Sequence, residues 1–242
     1  MRSKGIIYYT NNILPEHIAL VCRKNLERMD LPITSVSRYP LNLGNNIVTG
    51  LNSSIPSMFE QIVIALENAE QDIIFHCEHD VLYHPSHFEF TPPKSDVYYF
   101  NLNVWAVDDT TGQALYYDGM KMSSGLCAHR KILLEHYRHK VEWIRERGKF
   151  SQRIMGYEPG RKMSKGRDDY EWDTWRSEQP NLDIKGSHNI TRKRFCLDQY
   201  RSRRHLAKSW TLSNKVPHWG KTKDRFNDFL KDVHDNRLLS VL

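Results

Sequence analysis

No run of apolar residues approaches the roughly 18 needed to cross a bilayer, and the opening Met1-Arg2-Ser3-Lys4-Gly5 lacks the apolar core of a signal peptide. A cytoplasmic protein with no membrane span is expected. Cysteine is scarce: Cys22, Cys77, Cys127 and Cys196 are widely scattered and form no Cys-x-x-Cys pair, which argues against zinc or dithiol chemistry. They read as reduced core or near-core thiols. Glycine-rich phosphate loops are missing as well. There is no Gly-x-Gly-x-x-Gly after the first strand and no Gly-Lys-Ser/Thr, against the ordinary dinucleotide fold and the P-loop NTPases. A nucleotide bound here must rely on short polar side chains at strand ends, namely Thr10, Asn11, Asn12 and Ser37.

Basic charge is thin in the first half of the chain. Residues 1–120 hold 7 Lys/Arg against 14 Asp/Glu, and residues 121–242 hold 28 against 15. A half with a balance of +13 implies an anionic partner such as a diphosphate, a nucleic acid or a charged surface, or else a basic solvated face. The length of 242 residues suits one α/β domain with ample core.

Along the chain, Gly5-Ile6-Ile7-Tyr8-Tyr9 reads as a strand that closes on Thr10-Asn11-Asn12. Pro15 then opens a helix reaching about Met29, with Glu16 at its positive end. Residues 33–37 read as a second strand, 41–46 as a polar loop and 55–68 as a second helix, so the first eighty residues alternate β-α-β-α-β. This order predicts a largely parallel sheet flanked by helices. Residues 96–107 are the most strand-like stretch, returning through the turn 108–112 into 113–117. A helix is expected from about 131 to 146 and a late strand over 181–185. Between them lies a basic loop, 160–167, ending in Asp168-Asp169-Tyr170 before an expected short helix; it could act as a lid over phosphates or be an ordinary solvated loop.

The organising stretch is 72–85, where the buried run Ile73-Ile74-Phe75 ends abruptly in Glu78-His79-Asp80. Ligand sites of open α/β sheets lie at the carboxyl ends of strands. On an extended chain residues two apart share a side, so Glu78 and Asp80 can converge on a hard cation, Mn²⁺ or Mg²⁺, with His79 facing away. The other reading of such a triplet is a charged turn after a buried strand.

Taken together, Thr10-Asn11-Asn12, the helix before the triplet, Cys77-Glu78-His79-Asp80, Ser123-Ser124-Gly125 before an Arg-containing helix, and Asp168-Asp169 resemble the GT-A fold glycosyltransferases. The resemblance is closer to the family A-like enzymes encoded by phages and bacteria, and it covers the chain to about Thr191. It implies a GT-A domain over residues 1–191, Rossmann-like, with residues 192–242 as a basic, aromatic-rich extension packed on it. It also implies a nucleotide-sugar donor, most simply a UDP-sugar, lying over the first two strands and contacted by Thr10, Asn11, Asn12, Ser37 and His79. A divalent metal would be held by Asp80 and Glu78, with His188 completing its shell; Glu78 departs from the Asp of the usual triplet. Asp169, with Asp168 as understudy, matches the general base of inverting members, which takes the acceptor's proton. Trp105, Ser123, Ser124 and Gly125 are the expected acceptor contacts.

For a hexosyl- or pentosyltransferase of this kind the acceptor expected from the phage likeness and the basic half is a hydroxymethylated pyrimidine in double-stranded DNA, which would place the protein in the host cytoplasm. Base extrusion calls for aromatic side chains near a basic channel, and Trp105, Tyr170, Trp172, Trp175 and the tail are available. That tail interleaves Arg192-Lys193-Arg194 and Arg201-Ser202-Arg203-Arg204 with Phe195, Tyr200, Trp210 and Trp219. A cell-surface glycan or small acceptor is the competing substrate. A non-catalytic basic nucleic-acid-binding module and a metal-dependent nuclease are the competing classes.

Overall fold

The structure, a computed structural model, describes residues 2–119, 121–160, 171–189, 194–196, 199 and 210–222. The chain opens with β1 (Lys4–Thr10), α1 (Glu16–Glu27), β2 (Ile33–Ser37), β3 (Asn45–Val48), α2 (Ile55–Asn68) and β4 (Ile73–Glu78). There follow β5 (Val81–Leu82), α3 (Ser86–Glu89), β6 (Val97–Asn101), β7 (Val104–Asp108), β8 (Ala114–Tyr116), a 3-10 turn (Ser123–Gly125), β9 (Leu126–His129) and α4 (Arg130–Arg147). The last elements are α5 (Gln152–Met155), β10 (Glu171–Trp175), β11 (Asn181–Lys185), β12 (Thr211–Ser213), β13 (Lys215–Val216) and β14 (Gly220–Lys221).

The architecture is α/β, as expected. Seven strands form the main sheet in the order β10-β6-β9-β4-β1-β2-β3, parallel throughout except for β9. Both faces of its inner strands are covered, so β1, β4, β6 and β9 are buried on both sides, while the edge strands β10 and β3 are largely exposed. On β1, Ile7 and Tyr9 join the core under α2 and α4, while Ile6 and Tyr8 join the opposite core with Phe75 and Leu26. A second sheet, β12-β8-β7-β11-β5, packs its own cluster around Trp105, Val107, Leu182 and Trp219 against α1.

Three local expectations are corrected. Residues 96–107 are two strands, since Asn101 ends β6 by accepting the backbone N–H groups of Asn103 and Ser177 on its side-chain oxygen, and β7 then enters the second sheet. Part of the polar stretch 41–46 starts a strand, β3, because Asn46 bridges the hydroxyls of Ser35 and Ser37 on the neighbouring strand. The residues following Asp168-Asp169-Tyr170 form β10, parallel to β6, and no helix.

The two sheets are joined at His87. Its Nδ1 accepts from the amide groups of Asn101 on β6 (3.0 Å) and Asn181 on β11 (3.1 Å), and its ring stacks on Trp175. The ring is fully buried, and burial alone pushes its pKa down to about 3. This knot anchors the start of the strand whose far end reaches the cavity described next. Three cysteines are buried and Cys196 is exposed, a departure from the expected near-core position.

Candidate functional site

Because β1 and β4 run parallel, their carboxyl ends share one edge, where Thr10 and Glu78 open into a half-open cavity of about 180 Å³. One wall is the loop before α2 with its first turn: Asn52, Ser53, Ser54 and Ser57. Ser54 caps that helix by accepting the N–H of Ser57 at 3.1 Å, so the cavity meets a helix N-terminus rich in hydroxyls. Met122 and Ser123 line another side, with Tyr157 and Glu158 on a segment that buried Lys140 holds by donating to the Tyr157 carbonyl at 2.9 Å. The floor is charged: Glu78, His79 and Asp80 from the end of β4, and Asp183, Lys185, His188 and Asn189 from the end of β11.

The acids are individually oriented. Tyr9 donates its hydroxyl to Glu78 Oε1 at 2.7 Å, and Asn189 donates Nδ2 to Asp80 Oδ2 at 2.5 Å. The Asp80 carbonyl accepts the N–H of Ile184, which locks the acidic turn against β11. His188 Nε2 lies 3.8 Å from Asp80 Oδ2, while its Nδ1 has no partner although the side chain is 3% exposed. Lys185 Nζ lies 2.7 Å from Asp183 Oδ2, and neither carboxylate oxygen of Asp183 receives a well-aligned hydrogen bond. Burial, reinforced by Asp80, pushes Glu78 up to about 8; burial pushes Asp183 up to about 6, opposed by Lys185 and aided by Asp80. Burial alone would lower Lys185, yet Asp183, Asp80 and Glu78 together hold it above the ordinary lysine value.

Of the residues nominated from sequence, Thr10, Asn11, Glu78, His79, Asp80, Ser123 and His188 line this one cavity. His79 does so although strand alternation would turn it away. The strand stops at Glu78 and residues 79–80 form a turn, so alternation no longer applies, and His79 Nδ1 meets Thr10 Oγ1 at 2.7 Å. Asn12 does not reach the cavity; at a positive φ of 59° it clamps the loop after β2, its Oδ1 accepting from Arg38 and Tyr39. Ser37 is buried in the Asn46 network.

The expected acceptor contacts separate. Trp105 packs in the second core against Tyr116, Ser124 is buried, and Gly125 sits so close to the Asn101 carbonyl that a Cβ would stand 2.8 Å from it. Among the aromatics, Trp175 is sandwiched by His87 and Phe90, Trp219 is core, and Trp210 stacks on Tyr117. Trp172 alone of these is exposed, with Lys121 over its ring. Asp168, Asp169 and Tyr170, the basic loop 161–167, and most of the tail, including Arg192, Lys193, Tyr200, Arg201, Arg203 and Arg204, lie outside the described residues.

Sequence reasoning missed Asp183, Lys185, Asn189 and the serines before α2. The serines carried a signal, since Ser54 with Pro56 just behind it is a helix-start pattern.

No protein-family model and no curated protein matches the chain. Among solved structures it is similar to a glycosyltransferase involved in the glycosylation of the major capsid of PBCV-1, at 10% identity over 72% of this chain and 82% of that one, TM-score 0.44. It is also similar to HddC from Yersinia pseudotuberculosis, at 12% identity over 76% and 93%, TM-score 0.43. A third is a Drosophila β1,4-galactosyltransferase 7 complex with manganese, UDP-Gal and xylobiose, at 14% identity over 60% and 62%, TM-score 0.34. At such identities and TM-scores the likeness carries no argument, and the reading of the reaction rests on the cavity.

A divalent cation, implied by the acidic triplet, can be tested against these residues. Among the described residues no three Asp, Glu, His or Cys side chains converge as a ready-made metal shell. Yet the floor gathers the carboxyl groups of Glu78, Asp80 and Asp183 around one ammonium, and it holds a buried imidazole nitrogen without a partner and a carboxylate, Asp183, whose close contact is that ammonium. Hard oxygen donors in excess suit Mg²⁺ or Mn²⁺, which commonly take one or two carboxylates and complete their shell with water and substrate phosphate. The donor set fits.

Proposed function

We propose that the protein is a glycosyltransferase that moves a sugar from a nucleotide diphosphate donor to an acceptor hydroxyl, with the diphosphate over the acidic floor and the hydroxyl-rich helix terminus. The observation that carries this is the convergence on one cavity of Glu78-His79-Asp80, the end of β1, the N-terminus of α2 and Lys185. Helix N-termini favour anions, and so does an ammonium. Asp80, with His188 nearby, would hold a divalent cation. Such a cation, when bound, neutralises charge gathering on a departing diphosphate.

The chain's own groups do the rest. Asn189 and the Ile184 N–H fix Asp80, Tyr9 fixes Glu78, and Lys185 supplies a positive charge in a site where burial strengthens it. Asp169, or Asp168, is proposed as the base that removes the acceptor's proton, in the inverting manner of the enzymes the sequence resembles. The acceptor we propose is a hydroxymethylated pyrimidine in DNA, supported by the +13 balance of the second half.

Thermal melting with a panel of nucleoside diphosphates, with and without Mn²⁺, tests the donor reading, because a ligand of the native state raises the melting temperature. A shift with one nucleotide, UDP first, is expected in the native protein and should be lost in Asp80→Ala. An Asp80→Ala protein with unchanged donor turnover, or no shift with any nucleotide, refutes it.

A further inference from the structure

The acid-x-acid pattern names Glu78 as the partner of Asp80 on a cation, but the geometry points to another carboxylate. We propose that Asp183 is the second carboxylate of the divalent-cation site, and that Lys185 is its counter-charge when the cation is absent and a contact for the donor's diphosphate when it is present. This deepens the donor-site reading and rests on it.

Glu78 and Asp183 differ in what they already hold. Glu78 Oε1 is engaged by the Tyr9 hydroxyl at 2.7 Å, at the end of a strand fixed on both sides by β1 and β9. Asp183 is fully buried, lines the cavity, and receives no aligned hydrogen bond on either oxygen; its contact is the ammonium of Lys185 at 2.7 Å. A carboxylate taken out of water without hydrogen bonds is costly unless a cation completes it. Lys185 is half of that completion, being two residues on along the strand and so on the same face.

Backbone pairing puts Asp183 beside Asp80. β11 runs antiparallel to β5 with Asp183 opposite Val81, the residue after Asp80, and the Ile184 N–H donates to the Asp80 carbonyl. His188, following β11 through Gly186, lines the same cavity with its side chain 3% exposed; Nε2 lies 3.3 Å from the Ile184 carbonyl and 3.8 Å from Asp80 Oδ2, and Nδ1 has no partner. Independently of the acids, that buried unpartnered nitrogen marks the place as one built to take a ligand.

Charge supports the division of labour. Asp80 and Asp183, two carboxylates against the one ammonium of Lys185, leave this part of the floor short of positive charge, and a divalent cation makes up the deficit. Lys185, relieved of Asp183, then faces an incoming diphosphate as a free donor.

The test is Mn²⁺ binding by electron paramagnetic resonance, without turnover, on the full chain and on Asp183→Asn, Glu78→Gln and Lys185→Met, each checked for a native melting transition. Asp183→Asn should weaken Mn²⁺ at least about tenfold, while Glu78→Gln should stay within about threefold. Lys185→Met, which keeps the stem, should bind Mn²⁺ more tightly but UDP more weakly in its presence, and it decides the matter if Asp183→Asn does not fold. Loss of Mn²⁺ in Glu78→Gln with retention in Asp183→Asn, or Lys185→Met that leaves both ligands unchanged, overturns the proposal. A full-length protein that binds UDP but no Mn²⁺ overturns it while leaving the donor site standing; one that binds neither fails both.

Discussion

Replacing His87 should remove a large part of the protein's acid sensitivity. The ring is fully buried and its pKa is pushed down to about 3 by burial, against an ordinary value of about 6.5 in the unfolded chain. Between these two values the unfolded state binds a proton that the folded state refuses. The unfolded state therefore gains as pH falls, and stability rises with pH through the window. The contribution of His87 is fully present above about pH 6.5 and is lost progressively toward pH 3. At about 1.36 kcal/mol per pH unit, the loss is about 2 kcal/mol at pH 5 and approaches 5 kcal/mol at pH 3.

The structural reason is specific. Nδ1 already accepts from Asn101 and Asn181, so a proton there would break both bonds that tie β6 to β11. His87→Gln keeps an acceptor oxygen but cannot titrate. Urea unfolding of both proteins at pH 7.5 and pH 5 gives the answer as a difference of differences, which cancels the other groups that titrate in this range. His76, buried and also pushed down to about 3, is among them. The variant should be less stable at pH 7.5, and its loss on going to pH 5 should be smaller than the native loss by about 2 kcal/mol. Equal losses would refute the reasoning.

Two further outcomes follow from the packing. Trp219→Ala should destabilise by about 3–5 kcal/mol in urea unfolding, because the ring fills the second core and donates Nε1 to the Pro180 carbonyl at 2.7 Å; a cost under about 1 kcal/mol would mean that residues 210–222 are no part of the folded unit. Gly186→Ala should weaken Mn²⁺ binding about tenfold with the fold retained, since its Cβ would stand 2.8 Å from His188 Cε1 and against the Asp109 carboxylate; unchanged binding would remove His188 from the site.

What could be read locally was read. The second helix and the strands over 33–37 and 181–185 fall where expected, because apolar period, an N-cap serine and flanking turns all act within a few residues. The same logic located Glu78 and Asp80, since an apolar strand that ends in acids places them at the sheet edge by itself. It failed at residues 96–107, where one uninterrupted strand pattern is divided between two sheets. What divides it is Asn101 together with Ser177, which is 76 residues distant in sequence.

Asp183 shows the limit more sharply. In sequence Asn181-Leu182-Asp183-Ile184-Lys185 is an ordinary half-buried strand, with Leu182 and Ile184 inward and a charged pair on the other face. That face turns out to be buried too, because β11 lies beside the acidic turn, and the pairing that brings it there joins residues about a hundred apart. A charged pair two residues apart in a strand is therefore ambiguous until the neighbour on that face is known. Beside water it is a solvated ion pair worth little. Beside a second carboxylate and an imidazole with one nitrogen unpartnered it is a floor short of positive charge, and whatever binds there must bring the rest.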